Sequence, residues 1–451
     1  MLPMFTHQQD AHDAWIAKPR LLNFSDAGSG KTRATLEVIK SRNTESRVLV
    51  LAPLSILQPA WGDDIEKWTP ELTYVCAYSK NRQAAFDSDA QIVITNHDAV
   101  KWIAKNPDVL AGFDTLVIDE STAYKNPTSQ RSKTMKSLKD YFEYRVVLTG
   151  TPNPNSICDL WHQTLLVDDG DRLGQNFYHF RSQVQSPVPV AAGINKWVDK
   201  PNAEDVVTAM LADITFRVKL EDCIDMPEHT VHDMYINIPS KLRKQYNQLL
   251  YESVLELDSG TIDPINAGSK FRKLLQLITG QVYDSSGNSH LVHTERYELV
   301  ADLVEQRKQC VIAFNYRHER EALEELFRKR KISYGVIDGT VSSAKRKEVV
   351  DGCQSGKLKA VIAHPQSAGH GLTLTAATST IWASPTYNAE HYEQFNRRIY
   401  RAGQKQKTET IRISARDTVE ESVYEKLETK RFKLHNVLSM LKELCDVQSA
   451  A

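Results

Sequence analysis

Leu21-Leu22-Asn23-Phe24 runs directly into Ser25-Asp26-Ala27-Gly28-Ser29-Gly30-Lys31-Thr32, and a helix-compatible stretch, residues 33–41, follows without a break. The glycines let successive backbone N–H groups turn towards a phosphate, and a helix N-terminus adds a favourable field. Lys31 is placed to reach the β- and γ-phosphates of a nucleotide, and the Thr32 hydroxyl suits Mg2+. The strict G-x-x-x-x-G-K-[ST] spacing fails at its first position, where Ser25 stands. A strand feeding such a loop and helix is the opening of a parallel α/β unit, so further buried strands are expected along the chain.

Nearly continuous apolar runs recur at residues 21–24, 48–52 (VLVLA), 91–95 (QIVIT), 115–119 (TLVID) and 145–149 (RVVLT). Runs that do not alternate with polar residues belong to strands covered on both faces. A second series, at 310–314 (CVIAF), 332–337, 359–363 (KAVIA), 380–383 (TIWA) and 410–413 (TIRI), leaves room for crossover helices such as 319–331. The expected fold is α/β with two parallel-sheet lobes. Between the two series, Pro187, Pro189 and Pro201 break residues 182–202. Pro239 then opens an amphipathic helix over 240–257, and a polar stretch over 258–269 precedes another helical segment near 271–278. The expected division is a first lobe with a helical insertion over 1–225, a helical insertion and interlobe region over 226–295, and a second lobe with a C-terminal helical element over 296–451.

The chain has 451 residues, 41% of them apolar, with 56 Lys and Arg against 57 Asp and Glu. Such a chain buries several domain-sized cores and is not disordered. Its formal charge of -1 excludes a globally basic nucleic-acid binder but leaves room for a local basic groove. Six scattered cysteines without a C-x-x-C pair argue against a disulfide framework or a thiolate zinc site. The N-terminus lacks the pattern of a signal peptide, and no window approaches the roughly 20 apolar residues that cross a bilayer. A soluble intracellular protein, cytoplasmic or nuclear and without a membrane partner, is expected.

Asp119 and Glu120 end a predicted strand. One carboxylate at such a place holds Mg2+ and its neighbour orients the water that attacks a γ-phosphate. Far downstream, Gln394-Phe395-Asn396-Arg397-Arg398-Ile399-Tyr400-Arg401-Ala402-Gly403-Gln404 is rich in guanidinium groups. If residues 394–401 are helical, Gln394, Arg398 and Arg401 share one face and Arg397 projects elsewhere, so two forks face a triphosphate across an interlobe cleft. A solvated basic helix is the simpler alternative.

Together these motifs make the chain resemble a compact superfamily 2 helicase-like ATPase, closest to the Swi/Snf-type double-stranded DNA translocases. That resemblance implies two RecA-like lobes, ATP and Mg2+ as cofactors, and duplex DNA as a partner contacted through its backbone, with an unidentified targeting protein as a further partner. Phe5-Thr6-His7-Gln8 resembles the family's adenine-contacting motif, with Gln8 preferred to Gln9. Gly28, Ser29, Gly30, Lys31 and Thr32 take the phosphate-loop roles, Thr32 and Asp119 the metal, and Glu120 the hydrolytic water. Asp119-Glu120-Ser121-Thr122 departs from the family's commoner Asp-Glu-Gly-His ending, which bears on how Thr122 relays nucleotide state. Pro53-Leu54-Ser55 with Trp61, and Thr95-Asn96-His97, resemble nucleic-acid-facing segments, with Ser55 and Asn96 as the contact candidates. Leu148-Thr149-Gly150-Thr151-Pro152 looks like the coupling motif, where Thr149 and Thr151 bond the hydrolytic loop or merely stabilise a turn. Arg217-Val218-Lys219 resembles a basic element near the linker; an intramolecular brace explains it equally well. In the second half, Asp338-Gly339, Arg346 and 366–374 follow the family order, with Ser367 and Thr373 as DNA-backbone candidates. Arg398 and Arg401 are assigned to the ATP phosphates.

Other patterns are ordinary. His229-x-x-His232 and His290-x-x-His293 lack further ligands for zinc. Trp102, Trp161, Trp197 and Trp382 fit packing, and Val423, Leu427, Leu434, Leu438 and Leu441 mark an amphipathic helix over 420–444. Lys329, Arg330 and Lys331 read as a solvated helix end or a DNA contact. The expected function is a DNA-dependent ATPase translocating on double-stranded DNA. A strand-separating helicase is the alternative, and a nonenzymatic nucleic-acid scaffold a distant one.

Overall fold

The structure, a computed structural model, describes residues 3–42, 47–153, 156–191, 194–223, 226–258, 264–283, 289–291, 293–368 and 372–428. Two compact units divide the chain, Met1–Asp225 and Met226–Ala451.

In the first unit, strands β1 (Arg20–Asn23), β2 (Arg47–Ala52), β3 (Tyr74–Ala77), β4 (Ile92–Asn96), β5 (Phe113–Asp119) and β6 (Tyr144–Leu148) are followed by a hairpin, β7 (Gln185–Ala191) and β8 (Ile194–Asp199), and by β9 (Thr215–Phe216). Seven of them form one parallel sheet in the order β3-β4-β2-β5-β6-β1-β9. The apolar runs do not alternate because both faces are covered. Leu22, Leu49, Leu51, Val93, Leu116, Ile118 and Val147 enter one core, while Leu21, Val48, Val50, Ile94, Val117 and Val146 enter another. With side chains alternating at a period of two, every second residue serves the opposite face.

The second unit contains β10 (His229–Ile236), a small hairpin of β11 (Gln281–Tyr283) and β12 (Ser289–Leu291), then β13 (Cys310–Ala313), β14 (Tyr334–Ile337), β15 (Ala360–Ala363), β16 (Ser379–Trp382) and β17 (Thr408–Ala415). Its six-stranded parallel sheet runs β10-β17-β16-β13-β15-β14. Leu242, Tyr246 and Leu250 from the helix Ser240–Asp258 share one core with Val311, Ile312, Val361 and Ile381 of this sheet. That helix therefore belongs to the packing of the second unit.

All ten expected strands are present, with ends shifted by a few residues. Residues 182–202 and 226–295 are less helical than expected, since β7–β8, β10 and β11–β12 lie in them. Pro187 and Pro189 sit two apart on one strand, so both missing N–H groups fall on the same outer edge, where a two-stranded ribbon tolerates them. The helix Pro264–Ile278 starts inside the stretch read as a polar spacer, with Pro264 at its first position, where a missing N–H removes no intrahelical bond. Val423 and Leu427 are buried on the helix Val419–Glu428, and Leu434, Leu438 and Leu441 lie outside the described residues. No helix among the described residues is long and apolar enough to cross a membrane.

Candidate functional site

Parallel strands direct all their carboxyl ends to one edge, and ligands of open α/β sheets bind there. Ser25 to Thr32 leave β1 at that edge, Ser55 follows β2, Asn96 ends β4, Asp119 ends β5 and Thr149 follows β6.

Gly28 and Gly30 adopt positive φ angles of 87° and 80°. A Cβ on Gly30 would also meet the tip of the Gln8 side chain, at 2.1 Å from Nε2, which can move; it is the left-handed backbone that requires glycine. Lys31 opens the helix Lys31–Arg42, and its Nζ donates to the carbonyls of Ser25 at 2.7 Å and Asp26 at 3.0 Å. The ammonium thus hangs over the loop that curls around it. His7 Nε2 and Gln8 Nε2 both meet the Ser29 carbonyl, at 2.8 and 3.3 Å, while Gln9 faces outward to Asp13. The Ser29 hydroxyl is buried and makes no hydrogen bond.

Ser25, in place of the usual first glycine, has a structural role. Its Oγ accepts the Val218 N–H at 3.3 Å, Asp26 N–H donates to the Val218 carbonyl at 3.0 Å, and Asp26 Oδ2 accepts the Leu220 N–H at 3.2 Å. Residues 217–220, continuing from β9, clamp the phosphate loop through backbone; the exposed Arg217 and Lys219 side chains flank this brace.

Asp119 is buried, and each of its oxygens is engaged. Oδ2 accepts Trp61 Nε1–H at 2.9 Å, and Oδ1 accepts the Glu120 N–H at 3.0 Å. Burial raises its pKa to about 6, and the Glu120 charge adds to this, against the lowering pull of the Trp61 bond and Lys31. Glu120 itself holds a left-handed backbone, φ 52° and ψ 56°, which carries its side chain away from the strand direction. Among the described residues no cluster of three or more His, Cys, Asp or Glu is placed to hold a metal. Thr32 and Asp119 nonetheless offer hard oxygen donors, and two such ligands suit a cation that takes its remaining oxygens from phosphate and water. Two adjoining, largely buried carboxylates call for a positive charge.

The 149–152 loop touches the phosphate loop. A Cβ on Gly150 would lie 3.0 Å from Ala27 N, so the two backbones pass in close contact. Thr149 Oγ1 accepts the Thr151 N–H at 3.2 Å, the turn-stabilising option of the two open for that pair, and the Thr151 hydroxyl is buried without a hydrogen bond. Ser121 Oγ donates to Gln163 Oε1 at 2.6 Å, and Gln163 Nε2 donates to the Pro152 carbonyl at 2.7 Å.

The DNA-facing readings need correction at Trp61, Thr95, His97 and Arg330. Trp61 is fully buried behind Asp119 and faces no nucleic acid. Thr95 donates to the Ala77 carbonyl, and His97 packs edge-on against Tyr124, so both are core groups. Asn96 is half-buried and accepts from Arg82 at 3.2 Å; Ser55 is half-buried beside the exposed Leu54. Arg330 is engaged by Glu298, Asp302 and Glu305, which makes it a brace between helices.

In the second unit the arginine segment is not one helix. The helix Ala389–Asn396, capped by the Asn388 side chain, stops before Arg397 and continues only as turns, so the shared face expected of Gln394, Arg398 and Arg401 does not exist. Arg398 folds back instead. Its Nε donates to the Gln394 carbonyl at 2.7 Å, satisfying a carbonyl of the helix's last turn. Arg398 and Arg401 nevertheless converge, since both donate to the Leu372 carbonyl, at 3.3 and 2.9 Å. Arg346 ties the Asp338 carbonyl to that of Ser367, and Thr373 is half-buried. Gly369, His370 and Gly371 lie outside the described residues.

Sequence reading missed His7, the Val218 backbone and Gln163. For Gln163 the available sign was one amide within the otherwise apolar Leu160–Trp161 and Leu165–Val167 neighbourhood of a buried helix.

A family model for the SNF2-related domain matches residues 20–281, and one for the helicase conserved C-terminal domain matches residues 295–403. Protein p41 of Acyrthosiphon pisum secondary endosymbiont phage 1 is 29% identical over 434 residues, covering 90% of this chain and 91% of the phage protein. Chromodomain-helicase-DNA-binding protein 1-like of Mus musculus is 25% identical over 434 residues, covering 90% of this chain. The chain spans about half the length of that relative, 46% of it. The solved Sulfolobus solfataricus SWI2/SNF2 ATPase core in complex with dsDNA has 21% identity, covers 98% of this chain and 95% of its own, and gives a TM-score of 0.45. With more than half of its residues matched by the first of these models, the chain belongs to the SNF2-related family.

Proposed function

We propose that the protein hydrolyses ATP and uses the reaction to move along double-stranded DNA. The observation that supports the hydrolytic part is the position of the phosphate loop and the carboxylate pair at the same carboxyl edge of one sheet, on strands β1 and β5 with only β6 between them, where the Lys31 charge lowers the Asp119 pKa. The loop N–H groups and Lys31 hold the β- and γ-phosphates, Lys31 exchanging its carbonyl partners for phosphate oxygens. Glu120 orients a water and accepts its proton as the water oxygen bonds to the γ-phosphorus; the bond from that phosphorus to the β-phosphate oxygen breaks and ADP leaves. Thr32 and Asp119 would hold Mg2+, which would supply neutralisation of phosphate charge. Gln8 recognises adenine, and Arg398 and Arg401 give up the Leu372 carbonyl to stabilise charge on the transferring phosphate. Ser55, Asn96, Ser367 and Thr373 contact the DNA backbone.

Likeness to a chromodomain-helicase-DNA-binding protein supports DNA as the track. Strand separation is the second reading, favoured by the β7–β8 hairpin, whose Val188 and Val198 are exposed and which has the form of a wedge. The test is phosphate release with and without duplex DNA. Lys31→Ala is expected to lose nucleotide binding, and Glu120→Gln to bind nucleotide while turnover falls at least a hundredfold. Near-parent turnover by Glu120→Gln would reject the hydrolytic assignment.

A further inference from the structure

Ser121 and Gln163 are both fully buried, and they join two loops that the sheet alone would leave independent. Ser121 follows Glu120 directly, and its hydroxyl donates to Gln163 Oε1 at 2.6 Å. The Gln163 amide uses its two hydrogens on the carbonyls of Pro152, at 2.7 Å, and Asp159, at 2.8 Å. Pro152 ends the loop whose Gly150 lies against Ala27 of the phosphate loop. A closed circuit results, running from the phosphate loop through Gly150 and Pro152 to Gln163, and from there through Ser121 to Glu120. Every polar atom of the Gln163 side chain is committed within it, so the amide has one orientation. A side chain fixed in this way ties the Pro152 and Asp159 carbonyls to the hydroxyl of Ser121, the residue after a left-handed Glu120.

We propose that Gln163 is a positioning residue for hydrolysis. Through Ser121 it holds the Glu120 carboxylate in register with the phosphate loop, so that displacement of that loop by bound phosphate is felt at the carboxylate. Gln163 is fully buried with its amide committed to protein partners, so it acts on the site through Ser121 alone. The inference rests on the assignment of Glu120 to the attacking water, and its failure is separable from failure of that assignment.

The experiment uses the full chain. Gln163→Met keeps the volume and removes the bonds, Ser121→Ala removes the hydroxyl, and the two are combined in a double variant. Each single variant is expected to lower kcat for ATP about tenfold while nucleotide Kd, read with a fluorescent ATP analogue, stays within about twofold. The double variant is expected to recover part of the Tm lost in Gln163→Met, because Ser121→Ala removes the hydroxyl left without its partner while the Pro152 and Asp159 carbonyls still lack their amide donor, yet to keep the low kcat of the singles. Recovery of kcat together with Tm would make the bridge merely structural and overturn the proposal. Folded single variants with kcat within twofold of the parent would also overturn it. Glu120→Gln is assayed in parallel; if it turns over normally, the hydrolytic assignment fails and the role of the bridge fails with it.

Discussion

At the scale of single residues, the site holds groups that the folded protein would be more stable without. Asp119 is ionised at neutral pH against burial and against Glu120, with a pKa raised from the ordinary 3.8 to about 6. A carboxyl whose pKa is raised on folding contributes stability that is complete below the unfolded value and lost as pH climbs through the folded one. Near pH 8 the loss approaches about 3 kcal/mol. Asp119→Asn removes the charge but keeps a single acceptor for the two N–H groups of Trp61 and Glu120, which returns about 1–2 kcal/mol of that gain. The nucleotide-free variant is therefore expected to be more stable than the parent by about 1 kcal/mol at pH 8, with the advantage gone by pH 4, and to have no measurable turnover. Chemical denaturation across that range checks it; a variant less stable at pH 8 than at pH 4, relative to the parent, contradicts it.

At the scale of elements, the helix Arg317–Lys329 illustrates how a buried cap makes stability depend on pH. Glu319 Oε2 accepts the N–H groups of Asn315 at 2.7 Å and Tyr316 at 2.8 Å, and Asn315 Nδ2 in turn reaches the Ser384 carbonyl beyond β16. Burial lifts the Glu319 pKa from 4.5 to about 7, although the two N–H bonds oppose the rise. Its contribution is complete below pH 4.5 and disappears as pH passes about 7, so the second unit is expected to lose about 1 kcal/mol of stability between pH 6 and 8. Glu319→Gln keeps an acceptor for both N–H groups without a titrating charge, and is expected to flatten that slope in thermal melts; an unchanged slope would assign it elsewhere. Nothing in Arg317-His318-Glu319 announced this, because burial is a property of the packed unit. The same limit explains the other misreadings. Apolar runs make the central strands legible, whereas β10, with exposed Val231 and Tyr235 and polar neighbours, has an edge strand's pattern and carries no buried-strand signal. The phosphate loop and Asp119-Glu120 were legible because their chemistry lies in consecutive residues. The Trp61 bond to Asp119, the Val218 clamp and the Gln163 bridge span tens to nearly two hundred positions, and no local spacing records them.

At the scale of the whole molecule, the question is what the proposed hydrolysis does to a duplex. A net charge of -1 leaves no global field to hold DNA, so binding is expected to come from local phosphate contacts and to weaken as salt rises, by an amount set by their number, with little dependence on base sequence. Contacts to backbone alone suffice for stepping along an intact duplex, through alternate tightening and release as nucleotide affinity changes. Separating strands needs a further element inserted between them, and β7–β8 is the hairpin to test. Gln185 and Asp199 face each other at its base, joined by Gln185 Nε2 donating to Asp199 Oδ1 at 2.7 Å, so a short Asn-Gly turn can replace residues 186–198 at the loss of the Trp197 ring, over which the Arg181 guanidinium lies at 4.1 Å. The expected result is ATP-dependent displacement of a third strand from a duplex by the parent and the hairpin-less protein alike, little unwinding of a forked duplex by either, and neither activity in Glu120→Gln. Efficient fork separation that vanishes with the hairpin would instead make the protein a strand-separating helicase with β7–β8 as its wedge, and would leave the hydrolytic site unchanged.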